Sequence, residues 1–312
     1  MQVIHGLSGC PESLSLSAVA IGNFDGIHQG HQVLLSEMIK GAKGLNITPT
    51  VLTFYPHPVE VLNPQKKLEQ LTTTSEKLAL MESLGVQFVC VAQFDKVLAQ
   101  LSPEAFFEKY LVRGLKAKSI FVGYNFRFGK NRMGDIDLLK RLCEQKKITL
   151  TVVEPVSLGE RISSSLIREK ILEGQVEEAA KLLGHPYSIS GVVKSGDGRG
   201  KQLGFPTANL HCAAEKILPK NGVYITRVHW QLQSFRAITN IGVRPTFHSL
   251  SSPKVVEVHI LDLNAKLYDE SLSLEFLKFV RDEMKFKSIE ELKAQVQKDI
   301  EASRKSSLFD TI

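Results

Sequence analysis

Ala18-Val19-Ala20-Ile21-Gly22-Asn23-Phe24-Asp25-Gly26-Ile27-His28-Gln29-Gly30-His31 is the stretch on which the fold turns. Ala18 to Ile21 is a short apolar run of the kind a buried strand shows, and Val33, Leu34, Met38 and Ile39 recur at helical spacing beyond it. A strand therefore runs through a glycine-bearing turn into a helix, and the carboxyl end of a strand is where open α/β sheets bind ligands. His28 and His31, three apart at the helix start, share one face. Gly30 between them leaves the backbone open to a phosphate, and the helix-start N–H groups favour an anion there. A bare His-x-Gly-His also describes two solvated or core histidines; the ten-residue string in a strand-to-helix context argues against that reading. No Gly-x-x-x-x-Gly-Lys-Ser/Thr loop is present, and Gly196-Asp197-Gly198-Arg199-Gly200 lacks the final spacing of a dinucleotide fingerprint. Neither a Walker ATPase nor a Rossmann dehydrogenase is supported.

Outward from this stretch, the first half alternates β-branched runs with amphipathic segments. Strands are predicted at Ala18 to Ile21, Thr50 to Phe54, Phe88 to Val91, Ser119 to Val122 and Thr149 to Val153. Thr73 and Glu76 form a capping box for a helix ending at Gly85. Ser102-Pro103 caps another ahead of Phe106, Tyr110 and Leu111, and a third runs from Asp135 with Leu138, Leu139 and Leu142 on one face. The series predicts a doubly wound parallel-sheet α/β domain. Two short helices follow, from about Ser165 to Glu173 and from Val176 to Leu183, with Gly174 and Gly184 as stops. The rhythm then changes to strands at Tyr187 to Lys194, Val223 to His229, Arg236 to Ile241, Val255 to Leu261 and Leu272 to Phe279. Edge strands without covering helices predict a small, closed or nearly closed antiparallel β-barrel. A C-terminal helix closes the chain, with a second capping box from Ser288 and Glu291 and an apolar face of Leu292, Val296 and Ile300. The boundary falls near Leu183 to Pro186, dividing the chain into 1–184 and 185–312.

Composition narrows the class. The 312 residues are 43% hydrophobic and 23% charged, an ordinary globular balance that suits two domains. A net charge of +6 fits anionic small substrates and nucleic acid equally. Cys10, Cys90, Cys143 and Cys212 lie far apart, without a Cys-x-x-Cys pair, which points to a reducing compartment rather than a zinc ribbon. The start of the chain carries no basic segment followed by an apolar one, and no apolar run is long enough to span a bilayer, so a cytoplasmic protein is expected.

The Gly22 to His31 string resembles the signature of the nucleotidyltransferase superfamily with an HxGH motif, to which class I tRNA synthetases are related. Three further stretches narrow the resemblance: Thr53-Phe54-Tyr55-Pro56-His57-Pro58, Val122-Gly123-Tyr124-Asn125-Phe126-Arg127-Phe128-Gly129 and Ile162-Ser163-Ser164-Ser165-Leu166-Ile167-Arg168. Together they are similar to the adenylyltransferase half of the bacterial bifunctional riboflavin kinase/FAD synthetase family. Ser165 stands where that family more often has Thr, with the hydroxyl retained, and Asn125 stands where relatives can carry Asp. In the second half, Gly198-Arg199-Gly200-Lys201-Gln202-Leu203-Gly204-Phe205-Pro206-Thr207-Ala208-Asn209 resembles the riboflavin kinase signature. Asn240 to Phe247 and Val256 to Asp262 follow as in that family. The resemblance covers essentially the whole chain in the family's domain order.

It implies two ATP-dependent reactions, riboflavin to FMN in the C-terminal domain and FMN to FAD, with release of pyrophosphate, in the N-terminal one. Magnesium is the implied cofactor, with ATP as co-substrate of both. Thr207 and Asn209 are the candidate metal ligands, since Mg²⁺ takes oxygen donors and keeps several waters. Glu257 is the candidate base: alternation along Val255 to Leu261 puts it with His259 on the face opposite Val256, Val258 and Ile260. A solvated surface Glu shows the same pattern, and the resemblance favours the base. The adenylylation needs no protein nucleophile because the FMN phosphate is already ionised. His28 and His31 are expected to donate hydrogen bonds to the triphosphate, with Gly22, Asn23, Phe24, Asp25 and Gly30 forming its loop. Ser164, Ser165 and Arg168 would hold pyrophosphate, although a cap or a solvated helix residue reads the same. Gly198, Gly200 and Lys201 are the nucleotide-binding candidates of the second half, and His57 and Asn125 are assigned near the flavin. The implied partners are small molecules, riboflavin, FMN, FAD and ATP, with weak or transient self-association at most, and neither nucleic acid nor membrane.

Three rivals stand beside this reading. A nucleotidyltransferase with a pantetheine or nicotinamide acceptor explains the first half alone. A chain with one half decayed into a scaffold is opposed by the presence of every motif residue. An RNA-binding barrel would interleave basic residues with exposed aromatics, of which the second half offers few beyond Tyr187, Tyr224, Trp230 and Phe235.

Overall fold

A computed structural model describes residues 1–11, 14–65, 68–195, 200, 203–243 and 254–309. The chain divides into two compact units, Met1–Ser163 and Ser164–Ile312.

The first unit is built on a six-stranded, all-parallel sheet of β1 (Gln2–His5), β2 (Ser17–Ile21), β3 (Thr48–Tyr55), β4 (Phe88–Gln93), β5 (Ala117–Gly123) and β6 (Thr149–Val153), in the order β1-β4-β3-β2-β5-β6. A parallel sheet is covered on both faces, which is why its strands read as continuous apolar runs. The pleat sends alternate residues to opposite layers. Val19, Ile21, Leu52 and Ile120 enter the core that holds Phe106, Phe107, Leu111 and Leu139, whereas Ala18, Ala20, Val51 and Phe121 enter the one that holds Leu34, Leu35 and Met38. The helix Gln29–Leu45 lies close over the sheet on the second face. Gly41 permits the approach, since a Cβ there would lie 2.7 Å from the Phe121 ring. Val33, expected on the apolar face, is 40% exposed, and Leu35 is buried in its stead.

From β2 the chain builds outward through β3 and β4, then jumps back to β5 and β6 on the other side of β2. The switch point therefore lies between the carboxyl ends of β2 and β5, where the diverging connections leave a crevice. The predicted caps form: Thr73 and Glu76 make a reciprocal capping box for Thr74–Ser83, Ser102 accepts from the Ala105 N–H, and Asp135 caps Ile136–Lys146. A stretch of π-helix, Phe107–Gly114, continues the Ser102-capped helix. Strand β1 escaped the sequence reading because four residues beside a turn carry too little periodicity. A two-stranded hairpin, β7 (Ser157–Leu158) and β8 (Glu160–Arg161), ends the unit.

The second unit opens with helices Ser164–Leu172 and Val176–Leu183, the latter stopped by Gly184 in the left-handed region. Both group with the barrel, because Val176–Leu183 packs on strands that follow it and its Glu177 accepts the Phe279 N–H. The barrel comprises β9 (Tyr187–Lys194), β10 (Ala208–Cys212), β11 (Gly222–Trp230), β12 (Gln233–Val243), β13 (Lys254–Ile260) and β14 (Ser271–Arg281). All pairs are antiparallel, and the ring β10-β13-β12-β11-β14-β9 closes through β9 and β10. Strand β10 was read as motif rather than strand, yet without it the ring would be open. The last helix, Ile289–Lys305, lays Val296 and Ile300 on Val223, Ile225, Ile238 and Leu261. Its predicted capping box is half formed: Ser288 accepts from the Glu291 N–H, but the Glu291 carboxylate takes the N–H of Lys287. Arg281 fastens the helix to β14 through a two-pronged pair with the buried Asp299.

Candidate functional site

The turn after β2 is folded tightly. Phe24, Gly26 and Ile27 all have positive φ, which non-glycine residues adopt only when held. The holding groups come from one segment, Leu71 to Lys77. Asp25, 5% exposed, accepts the backbone N–H groups of Leu71 and Thr72 and the Thr72 hydroxyl, and Thr72 Oγ1 accepts the Gly26 N–H. Lys77 donates its Nζ proton to the Asn23 carbonyl at 3.0 Å. Of the five loop residues expected to touch nucleotide, Asp25 and Phe24 thus shape the loop from within. Phe24 is 1% exposed and turns its ring edge to His31 at 5.2 Å, and a Cβ at Gly22 would meet that ring at 3.3 Å.

His28 is the N-cap of Gln29–Leu45, its Nδ1 accepting the His31 N–H at 3.4 Å, and the two imidazoles stack with centroids 3.7 Å apart. Gly30 has a reason beyond phosphate access: a Cβ there would sit 3.2 Å from the His28 ring, so glycine is what lets that ring fold back over the helix start. Burial lowers the His28 pKa to about 4 against the opposing pull of Asp25. His31 is lowered well below its usual range by burial, reinforced by His28 and Lys77. Both rings are neutral at pH 7. With Nδ1 of His28 used as an acceptor, its proton lies on Nε2 and is available to donate. Nδ1 of His31 is buried without a partner among the described residues.

His57 and Asn125 belong to the same edge of the sheet, after β3 and β5. His57 caps the short helix Pro58–Leu62 through Nδ1, and Asn125 is exposed. Beside them runs a chain of aromatic contacts, Phe54 to Phe106 at 6.4 Å, Phe106 to Phe128 at 5.9 Å and Phe128 to Phe126 at 5.5 Å, with Phe54 and Phe126 half-buried. The sequence reading passed over these rings, since aromatics at strand ends look like ordinary core. Ser164, Ser165 and Arg168 lie in the first turns of Ser164–Leu172, on the second unit.

On the barrel, register brings three polar residues into one row: Asn209 of β10 faces Glu257 of β13, which faces Asn240 of β12. Directly paired residues project to the same face, so the three side chains are neighbours. Val256, Val258 and Ile260 are buried on the opposite side, as alternation predicts. Asn209 is 6% exposed with its Oδ1 buried and unpartnered among the described residues. Gly200 lies against Thr207, where a Cβ would come within 3.0 Å of the hydroxyl, and its carbonyl accepts the Phe205 N–H. His259 pins the same segment from β13, its Nδ1 2.8 Å from the Pro206 carbonyl and its ring edge-on to Phe205. Gly198 and Lys201 lie outside the described residues. His259 and Asn240 were missed as contributors, although His259 could have been found by its shared face with Glu257.

A neutral histidine pair, His28 buried and His31 half-buried, at the switch point of a parallel sheet is the arrangement expected of a nucleotidyltransferase-class domain. The barrel carries a second cluster of polar side chains in its row of Asn209, Glu257 and Asn240. Comparison with known proteins agrees in both halves. The family described as FAD synthetase matches residues 10–166 and that described as riboflavin kinase matches residues 183–307. The bifunctional riboflavin kinase/FMN adenylyltransferase of Buchnera aphidicola is 38% identical over 309 residues, 98% of each chain, and that of Bacillus subtilis is 36% identical over 92% of each. The chain belongs to the bifunctional riboflavin kinase/FMN adenylyltransferase family. A crystal structure described as a macrolide-efflux protein from Streptococcus pneumoniae matches with a TM-score of 0.89 at 32% identity, over 98% of this chain and 99% of that one. No helix among the described residues here is long and apolar enough to cross a membrane.

Proposed function

We propose that this chain makes FMN from riboflavin and ATP on the barrel, and FAD from FMN and ATP at the β2–β5 crevice. The observation that carries the second assignment is the stacked, neutral His28/His31 pair at that crevice. A neutral imidazole donating from Nε2 stabilises charge on a triphosphate without itself needing a proton from solvent. An ionised FMN phosphate oxygen attacks the α-phosphorus of ATP, the P–O bond to the β-phosphate breaks, and pyrophosphate leaves with the electron pair. His28 donates to the phosphate oxygens, and His31 stacks behind it and fixes its tautomer through the backbone N–H. Ser164, Ser165 and Arg168 hold pyrophosphate; the FAD synthetase match ends at residue 166, so it takes in Ser164 and Ser165 and stops before Arg168. The half-exposed rings of Phe54 and Phe126, flanking His57 and Asn125 in sequence, offer the isoalloxazine a flat apolar surface.

In the barrel, the riboflavin 5′-hydroxyl attacks the γ-phosphorus, Glu257 accepts its proton, and ADP leaves. Magnesium fits the residues present: Thr207 Oγ1 and the orphaned Asn209 Oδ1 are hard oxygen donors of the kind it prefers. When bound it would neutralise phosphate charge. Asn209 and Asn240 flank Glu257 in the sheet register, and His259 keeps Pro206 and thereby Thr207 in place. The join between the adenylyltransferase and kinase shares is placed at 184/185, close to where the riboflavin kinase match begins at 183, although the helices from Ser164 to Leu183 pack with the second compact unit. The four cysteines, all free thiols, and the use of ATP support a cytoplasmic enzyme acting on small molecules.

Incubation with riboflavin, ATP and Mg²⁺ followed by chromatography should yield FMN and FAD. His28→Ala should stop FAD while FMN accumulates. Glu257→Gln should slow FMN formation by about 10²- to 10⁴-fold while supplied FMN is still adenylylated. Loss of both activities in either folded variant would overturn the two-site assignment.

A further inference from the structure

Lys77 is a buried cation that neither reaction accounts for. It lies one turn into Thr74–Ser83 and is only 8% exposed, a rare state for lysine. The Thr73–Glu76 capping box sets where that helix begins, and so fixes where Lys77 falls. Its Nζ donates to the Asn23 carbonyl at 3.0 Å and to Thr53 Oγ1 at 3.4 Å, and Thr53 donates its own proton to the same carbonyl at 3.3 Å. Six and five residues before it in the same segment, Leu71 and Thr72 hold Asp25 and Gly26. One short stretch of chain thus grips successive residues of a turn that has positive φ at Phe24, Gly26 and Ile27.

A neutral donor could tie one carbonyl to a strand end. Burying an ammonium for that purpose costs free energy unless the charge is itself used. Burial lowers the Lys77 pKa below its usual range, and Asp25, the counter-charge, opposes that lowering. The pair brackets the turn, with Asp25 anchored to Leu71–Thr72 and Lys77 anchored to Asn23, and so sets the turn that leads directly into the His28 cap.

We propose that Lys77 is a positioning residue for adenylyl transfer: through the Asn23 carbonyl it holds the Gly22–His28 turn in the shape that presents His28, His31 and the helix-start N–H groups to a nucleoside triphosphate. The inference rests on the assignment of FAD formation to the β2–β5 crevice. Catalytic groups lose effect when displaced by fractions of an ångström, so releasing the turn weakens the grip on ATP specifically.

The test uses the full chain with Lys77→Met, which keeps length and removes charge and donors, and Lys77→Gln, which keeps a donor without charge. Riboflavin phosphorylation, performed by the other unit, normalises the samples for enzyme amount, and circular dichroism reports that the first unit is folded. Losing one charge-assisted hydrogen bond should raise the KM for ATP in FAD synthesis about 10- to 100-fold in Lys77→Met, with the KM for FMN within about twofold of wild type. Lys77→Gln should fall between the two. A merely structural lysine would lower the active fraction, reducing kcat and leaving both KM values alone; that result, or an unchanged ATP KM, overturns the proposal. If Lys77→Met does not fold because Asp25 is stranded, Lys77→Met/Asp25→Asn removes both charges and is measured against Asp25→Asn by the same criterion. His28→Ala run in parallel separates the two failures: FAD synthesis surviving there refutes the site, whereas its loss beside a wild-type ATP KM in Lys77→Met refutes only the role of Lys77.

Discussion

Lowering the pH from 7 to 5 is expected to cost the first unit about 2 kcal/mol through His28 alone. The folded state holds this imidazole at a pKa of about 4, below the 6.5 of an unperturbed histidine. Between those values the unfolded chain binds more protons than the folded one, so unfolding is favoured as protons are added. The stability is complete above pH 6.5 and is lost as the pH falls toward 4. At pH 5 the unfolded histidine is almost fully protonated and the folded one almost fully neutral, and linkage over that window gives the figure of about 2 kcal/mol. His31, lowered by the same burial, adds in the same direction. His28→Asn isolates the effect, because asparagine keeps an N-cap acceptor for the helix start but does not titrate. Urea unfolding followed by circular dichroism at both pH values is the assay. The single tryptophan, Trp230, lies on β11 and reports the barrel separately by fluorescence. The acid-induced loss should be about 2 kcal/mol smaller in His28→Asn than in wild type, with the barrel transition alike in both. Parallel losses in the two proteins would refute the claim that a buried neutral imidazole occupies the helix start.

Gly200→Ala should impair FMN formation and spare FAD synthesis from supplied FMN, because the new Cβ would meet the Phe205 carbonyl at 2.5 Å and Thr207 Oγ1 at 3.0 Å; paired activity assays check it. Arg281→Met should destabilise the barrel by about 3 to 5 kcal/mol, since it leaves Asp299, 3% exposed, as a lone buried charge at the C-terminal helix. Trp230 fluorescence during urea unfolding measures that loss, and Arg281→Met/Asp299→Leu should recover much of it.

Both sites were legible as strings of residues, but their working parts were legible unequally. Alternation along β13 put Glu257 on the correct face because a strand's period is local. The caps at Thr73, Ser102 and Asp135 were equally local, each a side chain reaching three residues onward. Lys77 gave no signal: within a helix of mixed residues a lysine reads as solvent-facing, and only the approach of Asn23, 54 positions earlier, makes it internal. Asp25 and Phe24 read as ligand contacts from their place in the motif, yet packing turned both inward. Gly30 read as room for phosphate, and part of that room is filled by the His28 ring.

The order of residues alone determined which segments become strands and helices, where caps and turns fall, and that the histidine motif ends a strand, since those preferences act over a few residues. It did not determine that β5 lies beside β2, that β10 closes the ring, or that Asn209, Glu257 and Asn240 share a row. Those follow from pairing segments far apart in the chain, whose free energy depends on the burial of whole faces at once. The protonation of His28 and His31 belongs to the same level, because an imidazole becomes a poor base only after the fold has removed the water around it.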